Sequence, residues 1–487
     1  MPAFYKTYKK EIGLTMGVLL SMACFISNPF EVTYKANQVL AIAILMIIWW
    51  IFEAIPMSMV ALLPLLLFPL LNIIPLKEIA YHYADPIVFL FMGGFFIAIA
   101  IEKWNLNKRI ALSIIGITGT NGNSIILGFI MATGALSLWL SNTATTMMMF
   151  PVALSVIQLV KTHNKDEKST SNFSLSLLFS IAYASNFAVG TIIATPPNVA
   201  YVGYIKDRFG YTINFVDWLL LFMPLTLLLL LLLYWFIVKI LYPNNIKHSK
   251  EATIAIKTAQ KDLGSISVPE KRVLLLFAIT VFLWITKDFL NKAQDYLLLD
   301  DTNISMLGAL LLFLVPSGNK GRRFPERLMA WPDARHMAWD ILLLIGGGIA
   351  LANALETSQL IHQFGFGLAD YTSNNLFIII LMVTAITVFL SEIMSNIAIV
   401  LILSPIVTTM ALALNINPLF LGIPMTLSAS CACMLPMGTP PNAIIFAKGH
   451  IKIEHMIVTG LFFNIICILL ITVFCWFFLP KVMDFPL

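Results

Sequence analysis

A long segment without any charged side chain is the feature that most limits what this chain can fold into. Residues 122–160 contain no charged side chain, and they form one of thirteen apolar segments spread over 487 residues. About a quarter of the residues in a soluble domain are charged, whereas this chain is 11% charged and 59% hydrophobic. The composition therefore predicts an all-α polytopic membrane protein. It excludes a cytosolic enzyme, a disordered protein and a nucleic-acid binder.

Most of the apolar segments are long enough for one membrane-crossing helix, which needs about twenty residues, and the total apolar content allows roughly ten to twelve crossings. Nine segments predict single helices, at residues 13–28, 38–55, 57–74, 86–102, 214–241, 272–290, 303–316, 338–355 and 456–480. The other four segments are longer or interrupted, and they carry the information about function.

Two of these four segments predict re-entrant hairpins. Segment 122–160 has small and polar residues at its midpoint, and segment 374–413 contains a single charge, Glu392, beside Ser395 and Asn396. Both segments are too long for one plain helix and too apolar to lie in water. Each therefore predicts two helices that enter and leave the membrane on the same side.

The remaining two segments, 173–205 and 418–447, predict broken helices. Each is interrupted by a proline pair, Pro196-Pro197 in the first and Pro440-Pro441 in the second. Proline removes a helical hydrogen bond, and the freed backbone groups must face protein or water rather than lipid. We therefore expect both breaks to line a cavity.

The distribution of basic residues indicates the orientation. With the N-terminus inside and two hairpins that return to the side they enter from, 23 of the 30 lysines and arginines lie in the cytoplasmic segments and seven lie outside. Such an excess is typical of cytoplasmic loops. The sequence therefore predicts a protein of the cytoplasmic membrane with its N-terminus inside and its C-terminus outside.

The two halves of the chain carry the same motifs. Six residues recur 254 positions later, namely Gly93, Gly94, Glu102, Ser141, Asn142 and Pro151, and the Thr-Pro-Pro-Asn sequence at 195–198 recurs at 439–442. Because the two hairpins enter from opposite faces, the repeats are predicted to be inverted. The expected organisation is an N-terminal helix (1–36), a first inverted repeat (37–242), a cytoplasmic linker (243–271) and a second inverted repeat (272–487).

Inverted repeats with paired broken helices are typical of secondary transporters, whose binding site lies at the middle of the membrane. Four helix N-termini would point to that centre, each with about half a positive charge, which suits a small dianion. No lysine, arginine or histidine lies in the hairpins or at the helix breaks. Bound cations must therefore supply the remaining charge, and hydroxyl, amide and carbonyl oxygens are ligands for small hard cations such as Na⁺.

Four stretches, at 136–151, 391–405, 194–198 and 434–450, resemble the motifs of the divalent anion/sodium symporter family. The resemblance covers about residues 38–479. It implies a homodimer embedded in membrane lipid, with eleven transmembrane helices in each protomer. It also implies a scaffold domain and a transport domain that moves as an elevator.

Carried over residue by residue, the resemblance implies two sodium sites and one substrate site. The first sodium site would comprise Ser137, Ser141, Asn142 and a carbonyl near Ala194, and the second Ser391, Asn396 and carbonyls near Met394 and Gly438. The substrate carboxylates would meet Asn142, Thr143, Thr195, Ser395, Asn396 and Thr439. The second Ser-Asn-Thr triplet departs from the family pattern because it ends in Ile397, which leaves the substrate range open.

The resulting interpretation is a sodium-coupled symporter of small dicarboxylates such as succinate, fumarate or malate. A sodium-independent anion exchanger and a sulfate transporter on the same fold stay open as alternatives. An enzyme is not expected, because the apolar segments contain no nucleophile–base cluster, phosphate-binding loop or zinc motif.

Glu392 is the single candidate for proton coupling, although a hydrogen-bonded role near a helix end is preferred. The paired glycines are expected to serve close helix packing.

Overall fold

The computed structural model describes residues 3–119, 121–164, 166–246, 250–294, 296–318, 326–358, 375–447 and 451–482. Within these ranges the chain is all-helical and contains no named β-strand, as the sequence predicts. Position 374 of the predicted second hairpin and positions 247–249 of the predicted linker lie outside the described residues, as do the two chain ends, 1–2 and 483–487.

The helices of the first half occupy Ala3–Ser27, Tyr34–Phe52, Met57–Val60, Leu63–Leu70, Leu76–Tyr83, Pro86–Lys103, Leu106–Thr118, Gly122–Ser137, Asn142–His163, Glu167–Asn186, Pro196–Phe209 and Phe215–Phe236. Those of the second half occupy Lys250–Asp262, Val268–Ala293, Asp301–Leu314, Trp339–Thr357, Leu376–Ser391, Asn396–Ala413, Leu419–Ala429, Pro440–Ala447 and Ile453–Val482. Shorter turns of 3₁₀ or π helix lie at Ile192–Ala194, Ile237–Leu241 and Trp331–His336.

Eight helices of the described ranges are long and apolar enough to cross a membrane, and six apolar stretches of helix have 10–17 residues. Large apolar side chains lie exposed on these helices, among them Leu220, Phe282 and Phe289. Continuous exposed apolar surface of this kind is favourable in lipid and unfavourable in water. The chain is therefore an integral membrane protein, and the count of eleven membrane helices stays a prediction.

The two predicted hairpin segments each consist of two helices joined by a four-residue turn. The first hairpin, Gly122–His163, turns at positions 138–141, and the second hairpin, Leu376–Ala413, turns at positions 392–395. The two turns lie 254 positions apart, the same offset that relates the sequence motifs. In both cases the helix after the turn begins at the asparagine of the Ser-Asn pair.

The two predicted broken helices are interrupted just before the proline pairs. The first broken helix, Glu167–Phe209, unwinds over positions 187–195, and the second broken helix, Leu419–Ala447, unwinds over positions 430–439. Proline is favourable at the first position of a helix because its missing N–H has no helical partner there. The proline pairs therefore end the unwound segments and begin the second half of each broken helix.

The halves of the two broken helices pack crosswise. The first half of the first broken helix, Glu167–Asn186, packs on Pro440–Ala447, and the first half of the second, Leu419–Ala429, packs on Pro196–Phe209. Tyr201 fixes the second contact, because its hydroxyl donates to the carbonyl of Pro418 and lies against Gly422. The four inner ends of the half-helices consequently meet near one point.

Several regions differ from the sequence-based expectation, and the helices Leu76–Tyr83 and Leu106–Thr118 lie outside every predicted apolar segment. Segment 57–74, expected as one helix, forms two short helices, Met57–Val60 and Leu63–Leu70. The predicted linker 243–271 contains the helix Lys250–Asp262, whose Gln260 amide donates to the Leu112 carbonyl at 2.7 Å. The hydropathy pattern misses this helix because it is too charged for a membrane span, and only its packing on neighbouring helices makes it evident.

Close packing at Gly93 joins the two halves of the chain. A methyl group at Gly93 would lie 2.6 Å from the carbonyl carbon of Ser305, whose hydroxyl donates to the Leu90 carbonyl in the same interface. Glycine at this position lets helices Pro86–Lys103 and Asp301–Leu314 approach within backbone contact. The expected packing role of the glycines fits Gly93, whereas Gly94 has free space beside it, with its nearest neighbour atom at 3.9 Å.

Gly93→Ala should therefore lower stability, and Gly94→Ala should not. The added methyl at position 93 meets backbone that cannot move without separating two helices, a form of overpacking that typically costs about 1–3 kcal/mol. The measurement is the thermal unfolding midpoint of both variants in detergent. Equal midpoints would show that the interface between these two helices adapts to the methyl group.

Candidate functional site

A cavity of about 420 Å³ lies where the two hairpin turns and the two unwound segments meet. All six residues predicted to bind substrate line it: Asn142, Thr143, Thr195, Ser395, Asn396 and Thr439. Residues from four separate segments of the chain thus converge on one space. The helices Pro86–Lys103 and Trp339–Thr357 contribute its apolar wall, including Phe91, Phe95 and Leu344.

The predicted sodium ligands divide into two groups. Five of them line the cavity, namely Ser141, Asn142, Ala194, Asn396 and Gly438. The other three, Ser137, Ser391 and Met394, are not among its lining residues. Ser137 and Ser391 are fully buried on the helices that lead into the two turns, and the Ser391 hydroxyl donates to the Val388 carbonyl at 2.8 Å.

Several oxygens of the site have no hydrogen-bond partner among the described residues. They include the Oδ1 atoms of Asn142 and Asn396 and the hydroxyls of Ser137 and Thr195, all of them buried. A buried polar atom without a partner costs about 1–3 kcal/mol, so such atoms are normally satisfied by a ligand or water. The two asparagine oxygens occupy equivalent positions of the repeat, and each is available to coordinate a cation.

Helix N-termini supply the positive potential of the cavity. The helices Asn142–His163, Asn396–Ala413 and Pro196–Phe209 begin at residues that line it, and Pro440–Ala447 does so too. Each helix N-terminus attracts anions through its free N–H groups and its dipole. No lysine, arginine or histidine is among the described residues that line the cavity, so backbone dipoles and bound cations must balance an anion there.

Asn198 holds the unwound segment of the first broken helix in place. Its side-chain amide donates to the carbonyls of Thr191, at 3.0 Å, and Val189, at 3.3 Å. The Thr191 hydroxyl in turn donates to the Leu138 carbonyl in the turn of the first hairpin, at 2.6 Å. The asparagine of the first Thr-Pro-Pro-Asn motif therefore satisfies backbone groups that the break leaves free, and it ties the broken helix to the hairpin.

Asn442 does the same for the second broken helix. Its amide donates at 3.1 Å to the carbonyls of both Ala432 and Leu435. Leu435 lies seven positions before Asn442, as Thr191 lies seven positions before Asn198. The two Thr-Pro-Pro-Asn motifs thus use their asparagines in the same way, which makes these residues part of the frame of the cavity.

Glu392 connects the turn of the second hairpin to the second broken helix. Its buried carboxylate accepts hydrogen bonds from the backbone N–H groups of Cys433, Met434 and Leu435, each at 2.8 Å, and from the Asn464 amide at 2.7 Å. Four donors occupy the carboxylate, and Glu392 is not among the cavity-lining residues. This arrangement agrees with the preferred interpretation of Glu392 as a hydrogen-bonded residue near a helix end.

The cavity also contains polar residues that the sequence analysis did not single out. Asn186 and Ser430 line it from the ends of the first half-helices, and Glu53 and Asp340 line it with exposed side chains. Asn186 and Ser430 lie nine positions before the two motif threonines, so an alignment of the repeats at those threonines could have found them. The carboxylates of Glu53 and Asp340 make the electrostatic potential of the cavity more negative and attract cations toward it.

Comparison with known proteins identifies the family. The family model described as "Sodium:sulfate symporter transmembrane region" matches residues 9–483. The sodium-dependent dicarboxylate transporter SdcS of Staphylococcus saprophyticus is 37% identical over 97% of this chain and 92% of its own length. SdcS of Staphylococcus aureus strain USA300 is 35% identical over 99% of this chain and 94% of its own length.

Two solved structures share the fold at low sequence identity. The YdaH transporter of Alcanivorax borkumensis has a TM-score of 0.53 and 12% identity, and covers 84% of this chain and 90% of its own. MtrF of Neisseria gonorrhoeae has a TM-score of 0.54 and 11% identity, and covers 84% of this chain and 85% of its own. The nearly full-length family match and the SdcS relatives confirm the resemblance of the motifs: the chain belongs to the sodium:sulfate symporter family of divalent anion/sodium symporters.

Proposed function

We propose that this protein is a sodium-coupled symporter that carries small dicarboxylates such as succinate, fumarate or malate across the cytoplasmic membrane. The polar groups of the cavity give the proposal its most direct support. The cavity contains two equivalent, unpartnered asparagine oxygens and four helix N-termini, and no basic side chain is among its described lining residues. A dianion is favourable in such a cavity only if cations enter with it. The relatives that cover nearly the whole chain are named sodium-dependent dicarboxylate transporters.

Sodium is the co-transported ion in this proposal. The first ion would be held by Ser137, Ser141, Asn142 and a carbonyl near Ala194, and the second by Ser391, Asn396 and carbonyls near Met394 and Gly438. The free oxygens of Asn142 and Asn396 support these assignments. Each asparagine also offers an N–H₂ group, so it can bind the ion through oxygen and a substrate carboxylate through nitrogen. This double use couples the ion to the substrate.

The substrate would lie between the two hairpin turns. One carboxylate would meet Asn142 and Thr143, and the other would meet Ser395 and Asn396. Thr195 and Thr439, which directly precede the proline pairs, would be further donors. A four-carbon dicarboxylate has two charged ends that suit two such half-sites. Sulfate has the same charge but a single centre, and the family description names it, so it is the alternative substrate to test.

The larger architecture is part of the proposal. Two inverted repeats with about eleven membrane helices would form a homodimer in the cytoplasmic membrane, with the N-terminus inside and the C-terminus outside. The excess of cytoplasmic basic residues supports this orientation. The hydrogen bonds that join each hairpin turn to its broken helix support a transport domain that moves as one body, as an elevator mechanism requires.

Uptake of labelled succinate into proteoliposomes should require sodium and rise cooperatively with its concentration. The physical reason is that the cavity has oxygen ligands but no fixed cation to balance the dianion. The measurement compares sodium with choline outside, for both succinate and sulfate. Equal uptake in choline would contradict symport and favour the exchanger, and sodium-driven uptake of sulfate alone would favour the sulfate transporter.

Asn142→Ala and Asn396→Ala should each abolish succinate uptake, because each removes a cation ligand and a carboxylate donor together. Asn172→Ala is the matched control, since the Asn172 amide bonds to the Pro243 carbonyl at 2.7 Å and Asn172 is not a cavity-lining residue. The measurements are initial uptake rates and size-exclusion profiles of the purified variants. Near-normal transport by either cavity variant would mean that the site is elsewhere.

Thr143 and Ile397 occupy equivalent positions after the hairpin turns, and both line the cavity. A hydrogen bond to a charged group contributes about 1.5–3 kcal/mol, which corresponds to about ten- to a hundred-fold in affinity. Thr143→Ala should therefore weaken the apparent affinity for succinate by about that factor at fixed sodium. Ile397→Ala should cost less, because no hydrogen bond is lost. The reverse order of effects would point to apolar packing as what holds the substrate.

A further inference from the structure

The two threonines of the Thr-Pro-Pro-Asn motifs are not equivalent in the structure. The Thr439 hydroxyl accepts hydrogen bonds from the Asn186 side-chain amide, at 3.1 Å, and from the backbone N–H of Asn442, at 3.3 Å. The Thr195 hydroxyl caps no helix and has no partner among the described residues. The Thr439 oxygen is therefore held by the protein and only its O–H remains to donate, whereas the Thr195 hydroxyl is free both to donate and to accept.

The difference originates in the residue nine positions earlier. In the first broken helix this residue is Asn186, whose amide crosses to the second broken helix and reaches Thr439 and the Ala432 carbonyl. In the second broken helix the equivalent residue is Ser430, whose side chain is shorter. The Ser430 hydroxyl is buried and also has no partner among the described residues.

Ser430 and Thr195 lie at the inner ends of two half-helices that pack on each other. Ser430 directly follows the half-helix Leu419–Ala429, and Thr195 directly precedes the half-helix Pro196–Phe209. Both residues line the cavity. Ser430 is 2% exposed and Thr195 is 1% exposed, so neither hydroxyl obtains its missing partner from bulk water.

On this basis, and resting on the proposed function, we propose that Ser430 is a substrate-binding residue that holds one carboxylate of the dicarboxylate together with Thr195. A hydroxyl can donate one hydrogen bond, and a carboxylate accepts several. The adjoining N-terminus of Pro196–Phe209 has a positive potential that favours an anion there. On the opposite side of the cavity the Thr439 oxygen already accepts two hydrogen bonds, so the two ends of the site differ.

Ser430→Ala should raise the apparent KM for succinate by about ten-fold at saturating sodium, the factor expected when one hydrogen bond to a charged group is lost. The sodium concentration for half-maximal uptake at saturating succinate should stay unchanged. Ser428→Ala is the matched control, because Ser428 is buried on the helix that Ser430 directly follows, but it donates to the Met425 carbonyl at 2.8 Å and is not a cavity-lining residue.

A double-mutant cycle with Thr195→Val tests whether the two hydroxyls share one carboxylate. Groups that bind the same carboxylate are expected to be non-additive, so the double variant should lose less affinity than the product of the two single losses. An unchanged KM in Ser430→Ala, or a loss equal to that of Ser428→Ala, would overturn the assignment.

A shift in sodium dependence without a shift in KM would also overturn it, and would make Ser430 a cation ligand. Absence of sodium-driven succinate uptake by the unmodified protein would instead reject the proposed function itself. The unfolding midpoint of each variant separates loss of binding from loss of folding.

Discussion

The structure depends on one constraint, which is that backbone groups freed within a membrane must find partners in the protein. Two helices and two hairpins are interrupted around the cavity, and lipid contains no hydrogen-bond partner for their free N–H and C=O groups. Asn198 and Asn442 satisfy carbonyls of the two unwound segments, and Glu392 accepts three consecutive N–H groups of the second. These buried polar residues make it possible for irregular backbone to line a binding site.

The same constraint explains the electrostatics of the cavity. Each interruption creates a helix N-terminus that faces the centre, so the protein obtains positive potential without a basic side chain. A fixed lysine or arginine would attract the dianion whether or not sodium was present. Dipoles alone leave a dianion only partly balanced, and the missing charge has to come from ions. The absence of basic side chains among the described residues around the cavity is therefore what makes coupling to sodium physically reasonable.

Much of this could be predicted from the sequence, because the relevant signals are local. Low charge predicts a membrane protein, a proline pair predicts a helix break, and motifs recurring at offsets of 254 and 244 predict two related halves. The six substrate residues implied by the family resemblance line one cavity. Other features have no local signal. The helix Lys250–Asp262 is too charged for a hydropathy pattern to mark it, and neither Asn186 nor Ser430 belongs to a motif.

By itself, the sequence determined that the chain lies in a membrane and which residues interrupt its helices, because composition and proline placement act on each segment separately. The family was indicated by the resemblance of its motifs. Only the tertiary structure decided which interruptions meet and which polar atoms remain free there. The four donors on Glu392, the bond from Asn186 to Thr439 and the unpartnered hydroxyls of Thr195 and Ser430 all depend on contacts between segments far apart in the chain. Whether an atom has a partner is a property of packing, and no local pattern encodes it.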